Sequence, residues 1–102
     1  MSGFYFKDNK LFVDDLPVED IARKFETPLY IYSKNVISQR IAALKDAFED
    51  FDEPPLIAYA CKANSNITIL KTMSQYGLGA DVVSGGELTK ACIANIEPQK
   101  ID

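Results

Sequence analysis

Apolar and polar positions alternate in short blocks from the start of the chain. Phe4-Tyr5-Phe6-Lys7 and Lys10-Leu11-Phe12-Val13 predict two strands, with Asp8-Asn9 between them as a hairpin-type turn. A helix is expected from near Pro17, which suits a first helical position, with Glu19 and Asp20 in its first turn. Val18, Ile21, Ala22 and Phe25 fall on one face of it at helical spacing. Pro28 closes that region, and Leu29-Tyr30-Ile31-Tyr32 is a β-prone run. Ser33 can cap a following helix, whose stripe Ile37, Ile41, Leu44, Phe48 and Phe51 alternates steps of four and three.

Pro54-Pro55 breaks that stripe, and Leu56-Ile57-Ala58-Tyr59-Ala60-Cys61 reads as a strand covered on both faces. A helix over Ile67–Tyr76 would turn Ile67, Leu70 and Met73 inward and end at Gly77 and Gly79. A second buried strand, Ala80-Asp81-Val82-Val83, precedes a helix from about Gly85 to Asn95. Ser84 and Glu87 have the spacing of a capping box at its start. Pro98 ends that unit, and Lys100-Ile101-Asp102 has the character of a strand just beginning. Helices and strands thus alternate, which predicts an α/β fold with a parallel sheet and helices outside it. A strand abandoned at its start leaves an unpaired edge, so a piece of a larger fold is expected.

Composition removes several function classes. Among 102 residues, 47% are hydrophobic and 25% charged, a globular balance. A formal net charge of -4 argues against a nucleic-acid partner. No apolar run approaches the roughly 20 residues that span a bilayer, and the opening residues lack the pattern of a signal peptide. The absence of histidine excludes Ser-His-Asp and Cys-His nucleophiles and histidine metal sites. Two cysteines, Cys61 and Cys92, make neither a disulfide framework nor a zinc site, and a reduced, cytoplasmic protein is expected.

The residue that stands out is Lys62, at the end of Ala58-Tyr59-Ala60-Cys61-Lys62-Ala63-Asn64. Strand alternation puts Ala58, Ala60 and Lys62 on one face and Tyr59 and Cys61 on the other. Two alanines beside a lysine leave room for a flat ring, and catalytic groups of β/α barrels stand at the C-terminal ends of strands. An amine held in a dry site becomes a usable nucleophile toward an aldehyde. On pattern alone, a lysine snorkelling out at a strand end is the commoner role. Alternation makes Cys61 a buried structural thiol, and Cys92 is expected on a helix's apolar stripe. Gly77 and Gly79 fail the dinucleotide fingerprint because Val82 holds the third glycine's place. Ser84-Gly85-Gly86 could bind an anion at a helix start, though capping explains it better.

Tyr59-Ala60-Cys61-Lys62-Ala63-Asn64-Ser65-Asn66 resembles the lysine motif of the diaminopimelate decarboxylase family. Gly77-Leu78-Gly79-Ala80-Asp81-Val82-Val83-Ser84-Gly85-Gly86-Glu87-Leu88 resembles that family's next strand and helix start, and Thr27-Pro28-Leu29-Tyr30-Ile31-Tyr32 its approach to the barrel. The resemblance covers nearly the whole chain and implies the N-terminal part of a pyridoxal phosphate (PLP)-binding (β/α)8 barrel of the alanine-racemase type. Residues 1–15 would belong to a separate C-terminal β domain, and 16–102 would be the first, incomplete barrel units, about three of eight. Lys62 would anchor the cofactor through its amine, Ala60 would line the pocket, and Asp81 would keep lysine and cofactor correctly charged. Small-residue packing explains Ala60 equally well, and a helix-cap or solvated carboxylate explains Asp81 equally well.

The activity implied is decarboxylation of meso-2,6-diaminopimelate to L-lysine and CO2, on a small amino-acid substrate, by a homodimer. The phosphate loop would lie beyond Asp102, so the 102 residues alone are expected to be inactive. An ornithine, arginine or carboxynorspermidine decarboxylase, and a non-catalytic PLP-binding module, remain as alternatives.

Overall fold

Positive backbone φ angles shape the first part of the chain. The computed structural model describes residues 2–102, leaving Met1 outside, and divides into one unit running through Ala47 and another, Phe48–Asp102. In the first, β1 (Phe4–Lys7) pairs antiparallel with β2 (Lys10–Val13), Phe4 opposite Val13 and Lys7 opposite Lys10. Asp8 and Asn9, at φ 52° and 62°, form the expected turn, whose left-handed residues match the twist of the strands. The device repeats at Asp14 and Asp15, φ 47° and 70°, bringing β3 (Leu16–Pro17) back onto β2. This third strand is not foreseen by the pattern, because two residues are too few to show a period.

Helix α1 (Val18–Phe25) follows with Glu19 and Asp20 in its first turn. The run Leu29–Tyr32 corrects the expectation of a strand. No described residue pairs with it, and Tyr30 is 88% exposed; propensity without a partner makes no ladder. Helix α2 (Lys34–Ala47) then starts at Ser33, whose Oγ accepts from the Val36 amide at 3.1 Å. Ile41 is buried and Ile37 half-buried, but Leu44 is exposed. The expected stripe is cut at Ala47, and Phe48 and Phe51 beyond it form an edge-to-face ring pair at 5.3 Å.

Asp14 ties the first unit together. Its carboxylate accepts from the Gly3 amide at 2.7 Å, from Ser33 Oγ at 2.7 and 2.9 Å, and from the Asn35 amide at 3.3 Å. One side chain thus joins the edge of the hairpin to the start of α2. Desolvation works to raise the Asp14 carboxyl, but the hydrogen bonds from Ser33, Gly3 and Asn35 outweigh it and leave it lowered.

The second unit is built on parallel strands. β4 (Ala58–Ala60) pairs with β5 (Gly79–Asp81), Ala58 opposite Gly79, Tyr59 opposite Ala80 and Ala60 opposite Asp81. Ile101 adds a parallel bridge to Ala80, the beginning of a third strand as expected, although a 3-10 turn holds Pro98–Lys100. Helices α3 (Ile67–Gln75) and α4 (Gly85–Ile93) follow β4 and β5. Between sheet and helices lies a cluster of Cys61, Leu70, Ala80, Ala91, Ala94 and Ile96, with Tyr59, Val82 and Ile101 packed against it.

Here the structure sharpens several expectations. α3 buries Leu70 and Met73 and half-buries Ile67, and Gly77 leaves it at φ 77°. The capping box of α4 is present but displaced. Ser84 Oγ accepts from the Glu87 amide at 3.1 Å, and the Glu87 carboxylate reaches past Ser84 to the Val83 amide, also 3.1 Å. The strand expected over Leu56–Cys61 is corrected to three residues, and only one of its faces is covered. Ala58 is exposed and Ala60 half-buried, because no described residue packs over that side as the helices pack over Tyr59 and Cys61. Val83 is exposed beyond the end of β5. Cys92 is exposed too, since the inward face of α4 is carried by Ala91.

Two outcomes follow. Gly79→Ala would drive a Cβ into the Lys100 carbonyl, and denaturant unfolding should show a loss of about 1–3 kcal/mol, the usual cost of overpacking. Because the Asp14 carboxyl is lowered on folding, its contribution is complete above the unfolded carboxyl pKa and disappears as pH falls through the folded one. Asp14→Asn should therefore be less stable at neutral pH and lose part of the acid sensitivity, read from unfolding midpoints across pH.

Candidate active site

Parallel pairing puts the C-terminal ends of β4 and β5 side by side, and that is where the chemistry-bearing residues gather. Ala60 and Asp81 are direct partners across the two strands. Lys62 follows two residues after Ala60, in the middle of a 3-10 turn, Cys61–Ala63. The turn ends the strand alternation at Ala60, so the register expected for Lys62 as a strand residue gives way to a turn position. Its exposure nonetheless follows from its neighbour. Cys61 is 0% exposed, and with that side chain in the core the next one stands clear of it.

The face away from the helices is open. Ala58 and Asp81 are exposed, Ala60 is half-buried, and Lys62 is exposed with no hydrogen bond or ion pair to any described residue. The structure therefore brings Ala60 and Asp81 together and sets Lys62 at the same strand ends, without an ion pair joining Lys62 to Asp81. The apolar clefts beside Leu16, Ile21 and Phe25 and beside Phe4, Ile31 and Val36 lie in the first unit and include none of these residues.

The Lys62 turn is held by side chains of the motif itself and by one from α4. Tyr59 Oη donates to the Asn64 carbonyl at 2.8 Å, spanning the turn from below. Asn64 Oδ1 accepts from the Asn66 amide at 3.0 Å, a local side-chain turn, and Asn66 Oδ1 caps α3 through the Thr68 amide at 2.9 Å. Lys90 Nζ on α4 donates to Ser65 Oγ at 3.0 Å. An asparagine directly before Ile67 is a legible cap. The Tyr59 and Lys90 bonds depend on the folded path of the turn and are not.

Cys61 is the reactive-looking group that the geometry disarms. Burial above all, then the charges of Glu87 and Asp81, push its thiol up from the usual cysteine value. Its Sγ lies 3.8 Å from the Tyr59 carbonyl, a weak donor contact.

Comparison with known proteins gives the family. The family model described as the pyridoxal binding domain of pyridoxal-dependent decarboxylases matches residues 34–102. The chain belongs to this family. It is 44% identical over 96 residues to the diaminopimelate decarboxylase of Aquifex aeolicus, covering 94% of this chain and 22% of that protein. To the Haemophilus influenzae diaminopimelate decarboxylase it is 40% identical over 101 residues, 99% of this chain and 24% of the relative. The crystal structure of the M. jannaschii diaminopimelate decarboxylase in complex with L-lysine superposes with a TM-score of 0.90 at 38% identity, over 97% of this chain and 24% of that one. The chain thus spans about a quarter of the length of the relatives it matches. Its α/β order and parallel pair are consistent with the first units of the pyridoxal phosphate barrel, as expected from the sequence.

The two thiols provide a check on this geometry. In the folded protein an alkylating reagent should modify Cys92 readily and leave Cys61 untouched until denaturant is added, read by peptide mass. Modification of Cys61 at the rate of Cys92 would contradict the burial that sets the face of β4.

Proposed function

We propose that this chain carries the cofactor-anchoring lysine of a pyridoxal phosphate-dependent decarboxylase acting on meso-2,6-diaminopimelate, giving L-lysine and CO2. The observation that carries the reading is the placement of Lys62, exposed and unpaired among the described residues, at the C-terminal end of a parallel strand with an open face. The residues present suit the group. A primary amine meets an aldehyde, Ala58 and Ala60 leave the face beside it low, and Asp81 supplies a carboxylate at the same strand ends. Bound there, pyridoxal phosphate supplies an electron sink for the pair left behind as CO2 departs from the α-carbon.

In this reading the Lys62 amine would hold the cofactor and, when not so engaged, could carry a proton. Ala60 lines the pocket floor. Asp81, paired with Ala60 at the neighbouring strand end, would keep the lysine and the cofactor correctly charged. The identity to diaminopimelate decarboxylases of 38–44% supports the substrate, as does the L-lysine held by the M. jannaschii protein. Residues 1–15 are assigned to a β domain and 16–102 to the barrel, with a homodimer as the assembly that the resemblance implies. Free thiols at Cys61 and Cys92 suit a reducing, cytoplasmic setting. Among the described residues no helix is long and apolar enough to cross a membrane.

Borohydride reduction of the complete gene product loaded with pyridoxal phosphate should leave the label on the peptide containing Lys62. Lys62→Ala should abolish that label and lower kcat by at least about a hundredfold, since proton transfer alone contributes that much. A label on another lysine would defeat the assignment. Preference for ornithine or arginine would change the substrate and leave Lys62 in place.

A further inference from the structure

We infer that Tyr59 is a positioning residue for the Lys62 amine. The inference rests on Lys62 being the cofactor lysine. Tyr59 lies on β4 with its ring packed against the buried cluster, and its hydroxyl donates to the Asn64 carbonyl at 2.8 Å. That bond closes a loop of which Ala60, Cys61, Lys62 and Ala63 are the span, so Lys62 sits inside a ring fastened at both feet. Cys61 anchors the near side by its complete burial. Beyond Asn64, the Asn64–Asn66–Thr68 hydrogen bonds hold the chain to the start of α3, and the Lys90–Ser65 bond ties it to the last turn of α4.

The segment has no strand partner of its own past Ala60, so these contacts set its path. Lys62 supplies none of them, and its long side chain inherits whatever freedom the turn has. Reaction between an amine and a bound carbonyl carbon is sensitive to small displacements, and a shift of about 1 Å can cost a hundredfold in rate. A tyrosine facing away from the open side thus controls the reacting nitrogen through the backbone.

Tyr59→Phe keeps the ring in the core and removes only the hydroxyl. In the complete gene product loaded with pyridoxal phosphate, the variant should still take the borohydride label on Lys62. Its kcat should fall roughly five- to tenfold, the scale of one hydrogen bond, with KM changed less than about twofold. The visible circular dichroism of the bound cofactor should weaken, and amide exchange over residues 61–65 should quicken. Wild-type kcat and dichroism in Tyr59→Phe would overturn the inference while leaving the role of Lys62 intact, and a change confined to KM would count equally against it. No label on Lys62 in the wild-type protein would overturn the underlying reading, and the inference with it.

Discussion

Close packing of small side chains behind the parallel pair is the constraint on which the second unit depends. Cys61, Ala80, Ala91 and Ala94 occupy the layer between sheet and helices, together with the larger Leu70 and Ile96. Short side chains let α3 and α4 lie near the strands, and a close-packed layer of this kind tolerates little change in volume. The same tightness reaches the edge, where Gly79 lies against the Lys100 backbone with no space for a Cβ. Once Tyr59, Cys61 and Ala80 are committed to that layer, strand alternation commits Ala58, Ala60 and Asp81 to the opposite face. The site is in this sense a by-product of the core.

Strand alternation alone does not deliver Lys62. The strand ends at Ala60, and the following turn is held by polar contacts of modest individual strength, from Tyr59, Asn64, Asn66 and Lys90. Three of the contacts fix backbone groups in series, at Asn64, Asn66 and Thr68, and the Lys90 bond to the Ser65 side chain adds to them, which orders the segment without burying it. The first unit uses a different device, gathering three donor residues on the single carboxylate of Asp14. There the turn conformation comes first, because Asp14 and Asp15 adopt left-handed φ values that place the carboxylate between Gly3 and Ser33.

Much of this was legible in the residues. The Asp8-Asn9 turn, the Ser33 and Ser84 caps and the inward Leu70 and Met73 each rest on local chemistry, and local chemistry survives folding. Lys62, Ala60 and Asp81 were legible as a motif, and the structure sets them at neighbouring strand ends. Failures came where the outcome depends on partners distant in sequence. Leu29–Tyr32 has β propensity and no strand to pair with. The apolar run Leu56–Cys61 suggested two covered faces, whereas coverage is decided by what packs on it. Apolar spacing puts Cys92 on the stripe of α4, yet Ala91 holds the inward position one residue earlier, a difference of about 100° around the helix.

The pairing of Cys61 with Lys62 poses a chemical problem that this fold resolves. A thiol and an amine in adjacent positions are both nucleophiles toward an aldehyde, and the thiolate is the stronger. Three features keep the thiol out of that competition. The end of β4 turns Cys61 into the core, burial disfavours its ionised form, and the carboxylates of Glu87 and Asp81 disfavour it further. At Cys61 the packing that forms the core therefore also withdraws the thiol from the exposed position that Lys62 takes in the next step of the turn.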